Sequence, residues 1–415
     1  MPLAPSAEII TRVFRDESAR IVGALTRLTR DLSLAEEVAQ DALVAALEEW
    51  PRTGVPSRPG AWLMTAAKNR AFNLMRRAKH GEANLTHESE PSVEPELDAR
   101  LDETVSDDAL KLLFTACHPL LTQESRVTLT LRLVAGLTTA EIARAFLTTE
   151  PTIAQRVVRA RRTLGDAGLP FEVPQGALLA PRLSSVLEVV YLVFNEGYSA
   201  SAGDDLLRPA LADEALRLGA LLVSLAPHEP EVHGLFALMQ LQASRLATRV
   251  DANGEPVLLA DQDRSKWDAA RIASGVEALR VARSTGAQPG PYVLQAELAA
   301  CHAQAPDVER TDWARIAALY GSLKALVASP VIELNRAIAI SRAEGPAAGL
   351  RLLDALASSG ALERYHLLPA ARGELLEKLQ RRDEARAAFE LAASLTENAR
   401  QRERLLQRAA QLTKS

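Results

Sequence analysis

The stretch Gly136–Leu164, GLTTAEIARAFLTTEPTIAQRVVRARRTL, decides the reading of this chain. Thr138 and Glu141 have the spacing of a capping box, in which each side chain satisfies a backbone N–H at a helix start. Ile142, Ala143 and Phe146 give that first helix an apolar face. Leu147-Thr148-Thr149 is expected to turn, and Pro151 to open the next helix where a missing N–H costs nothing. Ile153, Val157, Ala160 and Leu164 then recur at helical spacing and are expected to point inward. Gln155, Arg156, Arg159, Arg161 and Arg162 are left outside. Two short helices joined by a turn, the second carrying guanidinium groups, form a helix-turn-helix suited to phosphates and base edges. The same pattern also fits a helical hairpin with a solvated basic face.

The surrounding composition supports the first reading once charge is mapped rather than averaged. The 415-residue chain carries a net charge of only −5. Between Ala61 and His80, however, there are five lysines and arginines and no acidic residue, while Glu82–Asp108 holds ten acidic residues and one arginine, Arg100. A basic patch therefore stands beside an acidic segment. Two cysteines, Cys117 and Cys301, exclude a disulfide framework. With no uninterrupted apolar run of about 18 residues and no signal peptide, a cytoplasmic chain without membrane contact is expected.

No stretch reads as a strand, so the expected class is all-α. Residues 1–78 read as a first small domain of amphipathic helices. One is capped near Asp31 and Ser33, runs to Trp50 and stops at Pro51; another begins near Gly60 and ends in Arg76-Arg77. Residues 79–103 are polar, acidic and broken by prolines, the composition of a flexible linker that burial cannot order. Residues 104–168 form a second small domain containing the helix-turn-helix, closed by Gly168-Leu169-Pro170 and Pro174. From 169 to 415 helix follows helix. The segment ARGELLEKLQRRDEARAAFELAASL, with Gly373, Ala385, Phe389 and Ala392, has the spacing of a tetratricopeptide (TPR) repeat. Glu214–Leu246 and Val331–Leu356 are weaker matches. Such helix pairs stack and leave a concave surface for a protein or ligand, although a non-repeating helical domain accounts for the same pattern.

The order of these parts resembles an extracytoplasmic-function (ECF) sigma factor of the sigma-70 family over about the first 165 residues. Asp31, Ala35, Glu36, Gln40 and Trp50 match that family's region-two helix, which grips the beta-prime clamp helices of core RNA polymerase. Trp62-Leu63, Ala66, Asn69, Arg76 and Arg77 match its promoter-melting stretch. Thr152-Ile153, Arg156 and Arg159-Ala160-Arg161 match its region-four recognition helix, which reads the −35 element. The remainder is similar to the extension of a subgroup with a TPR-like domain, in the strings YLVFNEGYSAS (191–201), DQDRSKWD (261–268), GPYVLQAELAACHA (290–303) and SPVIELNRAIAI (329–340). Asn73, Leu147 and Pro151 depart from the common pattern, where aspartate, glycine and glycine are frequent.

The resemblance implies a protein that performs no bond chemistry, binds core polymerase through the clamp helices and beta flap, and engages promoter DNA. It also implies that the acidic linker enters the RNA channel and that the extension controls activity in cis. The residues suit these tasks. Opening a −10 element needs cations beside platforms for unstacked bases, and the helix from Ala61 supplies Trp62, Lys68, Asn69, Arg70, Asn73, Arg76 and Arg77. Trp62 serves equally as platform or core; Phe72 reads better as core. In the −35 duplex, Gln155 suits adenine and Arg156 or Arg159 guanine, each worth about 1–3 kcal/mol if bidentate. Thr152 opens that helix, and Arg161 and Arg162 suit phosphates. Glu36, Glu37 and Asp41, with Asp31, Gln40 and Trp50, make an acidic face for a basic protein partner. A stand-alone helix-turn-helix regulator with a repeat-type sensor is the alternative.

Other constellations carry less. Adjacent helical residues diverge by about 100°, so neither Cys117-His118 nor Cys301-His302 chelates zinc well. Asp251–Gln262 lacks the glycine and closing glutamate of a calcium loop. Neither metal nor cofactor is expected. Phe194–Ser199 reads as a structural turn with buried polar contacts.

Overall fold

The computed structural model describes residues 7–80, 108–146, 148–198, 207–251, 257–396 and 399–412. The regular elements among these residues are almost all helices, joined by turns and short loops, and their contacts divide the chain into two compact units, Met1–Pro227 and His228–Ser415. The stretch 81–103 of the expected linker, Leu147 of the expected turn and residues 252–256 of the segment weighed for calcium lie outside the described residues.

The first unit starts with three mutually packed helices, α1 (Ala7–Thr29), α2 (Leu32–Thr53) and α3 (Pro59–His80). The Asp31 carboxylate accepts the N–H groups of Ser33 and Leu34 and so starts α2. The expected stop at Pro51 does not occur. The helix runs through that residue to Thr53, and Gly54 at φ 86° ends it with its N–H on the Trp50 carbonyl. The expected linker is also entered late, because α3 continues to His80.

The second group in this unit is α4 (108–116), α5 (Gln123–Leu133), α6 (Thr139–Ala145) and α7 (Glu150–Asp166). The capping box of Thr138 and Glu141 is present, and Thr149 caps α7 one residue earlier than the Pro151 start suggested. Ile153, Val157, Ala160 and Leu164 are all buried, as their spacing requires.

Two further helices, α8 (Leu179–Tyr198) and α9 (Pro209–Leu225), complete the unit and pack on each other. Residues 194–198 form the last turn of α8 rather than a separate turn, although Glu196 does pair there with Arg208. Gly176–Tyr198 is long and apolar enough to cross a bilayer, with mean hydropathy 1.6. In the fold that apolarity serves the interior, since Leu183, Val186, Val190 and Phe194 are buried and α8 packs on α5 and α9.

The second unit is a succession of helices in which chain neighbours pack together: α10 (Pro230–Ala243), α11 (Ala269–Ser284), α12 (Pro291–Ala303), α13 (Trp313–Leu326), α14 (Pro330–Ala343), α15 (Pro346–Ser358), α16 (Leu367–Lys378), α17 (Arg382–Leu395) and α18 (Ala399–Gln411). The α16–α17 hairpin buries Ala385, Phe389 and Ala392, and a Cβ on Gly373 would lie 2.8 Å from the Phe389 ring. The pairing suggested for Glu214–Leu246 differs, because α9 takes α8 as its partner.

Candidate nucleic-acid interface

The faces of α7 separate cleanly. Thr152, Gln155, Arg159 and Arg162 follow at steps of three and four residues and are all exposed, opposite the buried stripe. Thr152 also shares its hydroxyl with the Thr149 cap at 2.8 Å. Two arginines of the same helix do not join that stripe. Arg156 is half-buried, with its guanidinium 3.4 Å from the Thr128 hydroxyl of α5. Arg161 turns inward and pairs with Glu36 of α2.

On α3 the small residues Ala67 and Ala71 face the core with Leu63. This sends Phe72 outward to 53 % exposure, against its reading as a core residue. Asn69, Phe72, Asn73 and Arg76 thereby form one exposed stripe at helical steps, with the Arg76 guanidinium donating to the Asn73 side-chain Oδ1 at 3.4 Å. An exposed ring between amides and a guanidinium is what a splayed base requires. The signal for Phe72 was present in the alanine spacing, which marks the inner face independently of the aromatic. Lys68 is half-buried rather than open; burial and then neighbouring Arg27 lower its pKa, against the pull of Asp108. Arg70 is engaged with Asp41 of α2 at 2.8 Å. The side chain of Arg77 lies outside the described residues.

The acidic face expected on α2 is divided in the same way. Asp31 and Glu37 are exposed, and Gln40 and Asp41 are half-buried. Trp50 does not belong to that surface: it is 1 % exposed and meets Trp62 edge to face, with ring centroids 5.4 Å apart. Trp62 itself is half-buried. Glu36 is also buried, at 5 % exposure, because it sits between Arg132 of α5 (2.6 Å) and Arg161 of α7. Burial lowers the pKa of both guanidinium groups, outweighing the pull of Glu141 on Arg132 and of Asp31 on Arg161.

This carboxylate belongs to a wider interface between α1–α3 and α4–α7. The fully buried Asp108 takes Arg27 at 2.7 Å and Lys111 at 3.3 Å. Ser18 donates its hydroxyl to the Leu133 carbonyl at 3.1 Å. Arg15 pairs with Glu141. Burial alone would raise the pKa of Glu141, but hydrogen bonds from Thr138 and Arg15 reverse the effect and hold it below the ordinary range. Close approach is built in: a Cβ on Gly23 would fall 2.5 Å from the Asp108 carbonyl oxygen, and Gly136, at φ 69°, turns the chain against Ser18. A cleft of about 870 Å³ remains between the two groups, with Arg27, Arg30 and Asp31 on one wall and Val158, Arg161 and Arg162 on the other.

Behind the helix-turn-helix, α8 and α9 brace α4–α6. Arg182 donates to the Phe114 carbonyl at 2.6 Å, and Ser185 to that of Cys117 at 2.7 Å. Arg126 pairs with Glu188 at 3.1 Å, and Arg208 reaches both Glu196 and the Ala145 carbonyl at the end of α6. These contacts had no counterpart in the sequence reading. Burial pushes the Cys117 thiol up to about 12, and its sulfur sits 3.3 Å from the Thr130 hydroxyl. Among the described residues no three His, Cys, Asp or Glu side chains gather to hold a metal ion.

Comparison with known proteins agrees with this arrangement. Residues 13–81 match the model of sigma-70 region 2 and residues 111–164 that of sigma-70 region 4. Residues 182–283 match a family of unknown function (DUF6596). An uncharacterized protein of Rhizobium meliloti (strain 1021) is 44% identical over 382 residues, 91% of this chain and 90% of its own length. The ECF RNA polymerase sigma factor SigL of Mycobacterium tuberculosis is 32% identical over 176 residues, 40% of this chain and 95% of its own. SigK of Mycolicibacterium vanbaalenii is 30% identical over 169 residues, 39% of this chain and 84% of its own. With regions 2 and 4 in order and SigL spanned almost end to end, the chain belongs to the ECF sigma factors of the sigma-70 family, non-enzymatic proteins of promoter recognition, and carries a DUF6596 extension.

Proposed function

We propose that this sigma factor delivers core RNA polymerase to its promoters in the cytoplasm through a division of labour among three helices. The exposed stripe of α7 reads the −35 duplex, with Gln155 and Arg159 at base edges and Arg162 on phosphate. The α3 stripe of Asn69, Phe72, Asn73 and Arg76 takes the unpaired −10 strand, and Arg70 joins it when released from Asp41. The acidic face of α2 meets the polymerase clamp helices, region 4 meets the beta flap, and the acidic segment 79–103 follows the RNA channel. The extension is a TPR-like helical regulator acting in cis.

The observation that carries this reading is the pairing of Glu36 with Arg132 and Arg161. It joins a carboxylate suited to the clamp to a guanidinium suited to DNA, so the contact that closes regions 2 and 4 uses groups that transcription needs elsewhere. The brace of α8 on α4 and α5 supports a regulatory role for the extension, since it places extension residues directly behind the helix-turn-helix.

Run-off transcription with purified core polymerase, on a promoter from the protein's own upstream region, tests the proposal. The full chain should initiate at a defined start, and Asn69→Ala with Phe72→Ala should abolish opening while leaving duplex binding intact. A chain ended at Pro227 keeps α8 and α9 in place. Its unregulated transcription supports inhibition by the remainder of the extension, its silence supports a required role, and an unchanged rate overturns both.

A further inference from the structure

The outer face of α7 carries one branched apolar side chain. Apart from Pro151, Ala154 and Gly165, the exposed residues of this helix are polar or charged, yet Val158 stands among them at 64 % exposure. The valine before it, Val157, is buried at 5 % and does the packing. Val158 lines the cleft beside Arg161 and Arg162, open to a partner. Nor does it favour the helix, since a β-branched side chain loses rotamer freedom there and is a poorer helix former than alanine or arginine. Exposure alone would not single it out, because lone apolar residues are common on surfaces. Its position does.

At about 100° per residue, the line opposite the buried stripe of Ile153, Val157, Ala160 and Leu164 runs through Gln155 and Arg162. Val158 and Arg159 stand about 50° to either side of that line. The valine is thus as central to the outer face as the arginine assigned to a base edge. It is three residues after Gln155 and four before Arg162, which makes it a neighbour of both on the helix surface.

The major groove gives such a side chain one natural target. Amides and guanidinium groups distinguish adenine and guanine by hydrogen bonds, whereas the C5-methyl of thymine is an apolar mark that only an apolar group reads. A step of three residues advances about 4.5 Å along an α-helix, and successive base pairs are about 3.4 Å apart. A valine in that place reaches about one base step from the base held by Gln155.

We propose that Val158 is a specificity-determining residue of this helix, its methyl groups packing on the C5-methyl of a thymine one base step from the base read by Gln155. The proposal rests on α7 as the reader of the −35 duplex and adds to it a named base and an apolar contact.

Holoenzyme assembled from the full chain and core polymerase tests it on the promoter from the protein's own upstream region. Each −35 thymine, on either strand, is replaced in turn by deoxyuridine, which lacks only the C5-methyl. In competition binding one replacement should weaken the complex about fourfold, the worth of one carbon group taken from water. In Val158→Ala the thymine and uridine promoters should bind alike, at the weaker level, and the melting temperature of the free chain should hold or rise. A uridine penalty of the same size in Val158→Ala, no penalty at any position, or a lowered melting temperature of the variant overturns the proposal. Arg159→Ala separates this failure from that of the underlying reading. If it loses discrimination between the promoter and a scrambled −35 element, α7 still reads the duplex and only the role of Val158 falls; if its discrimination is unchanged, both fall.

Discussion

Glu36 shows how one residue changes meaning between sequence and structure. In sequence it is one acid on an acidic helix face; in the fold it is a buried carboxylate between two arginines brought from the other domain. Removing one partner of a buried ion group leaves the rest uncompensated and typically costs about 3–5 kcal/mol, less here because the arginines keep some solvent. Glu36→Ala should therefore lower the melting temperature and, by freeing Arg161, raise affinity for non-specific duplex in a fluorescence-anisotropy titration. Glu141 carries a pH dependence of definite sign. Its pKa is depressed in the fold, so its contribution is present above the ordinary carboxylate pKa and disappears as pH falls through the lowered folded value. The melting-temperature gap between the chain and Glu141→Gln should be open at pH 7 and close in acid. Cys117, buried with its thiol pushed up to about 12, should resist alkylation at pH 8 and label only as the chain unfolds.

Among the elements, α7 was the most legible, because four apolar residues at steps of three and four define an inner face without tertiary information. Its outer face was only partly legible. Periodicity could not show that Arg156 leans on Thr128 or that Arg161 is taken by Glu36, since both partners lie on other helices. The expected outcomes follow the structure: Arg159→Ala should cost about 1–3 kcal/mol on the cognate −35 duplex and relax discrimination at one base pair. Arg162→Ala should weaken all duplexes alike, with a shallower salt dependence of binding. Equal effects of the two on cognate and scrambled duplexes would remove base reading from this helix. In α3 the reading erred on Phe72 because a large aromatic was taken for core, whereas Ala67 and Ala71 occupy the inner positions against α1 and α2. The run of α2 through Pro51 was missed for a related reason. Proline removes one backbone N–H and crowds the carbonyl four residues back, yet it stands only two residues before the helix end at Thr53, beside the buried Trp50.

For the molecule as a whole, the all-α class and the order of the two sigma regions were readable from helical periodicity and from the motifs of the first 165 residues. The limit of the first compact unit was not. Gly168 and Pro170 read as a domain end, yet Arg182, Ser185 and Arg208 return from beyond them to the carbonyls of Phe114, Cys117 and Ala145. No local pattern announces such returns. A chain ended after Pro170 should accordingly be less stable than one ended at Pro227, with earlier thermal unfolding and faster alkylation of Cys117.

The shared carboxylate of Glu36 also imposes a thermodynamic symmetry. If polymerase takes Glu36 and DNA takes Arg161, each binds by displacing the same internal bond, and whichever arrives first has already broken it for the second. Linkage makes the effect reciprocal: the factor by which polymerase tightens duplex binding must equal the factor by which duplex tightens polymerase binding. One side chain, placed between two helices of different task, would then make promoter and enzyme cooperative ligands of this protein before either has touched the other.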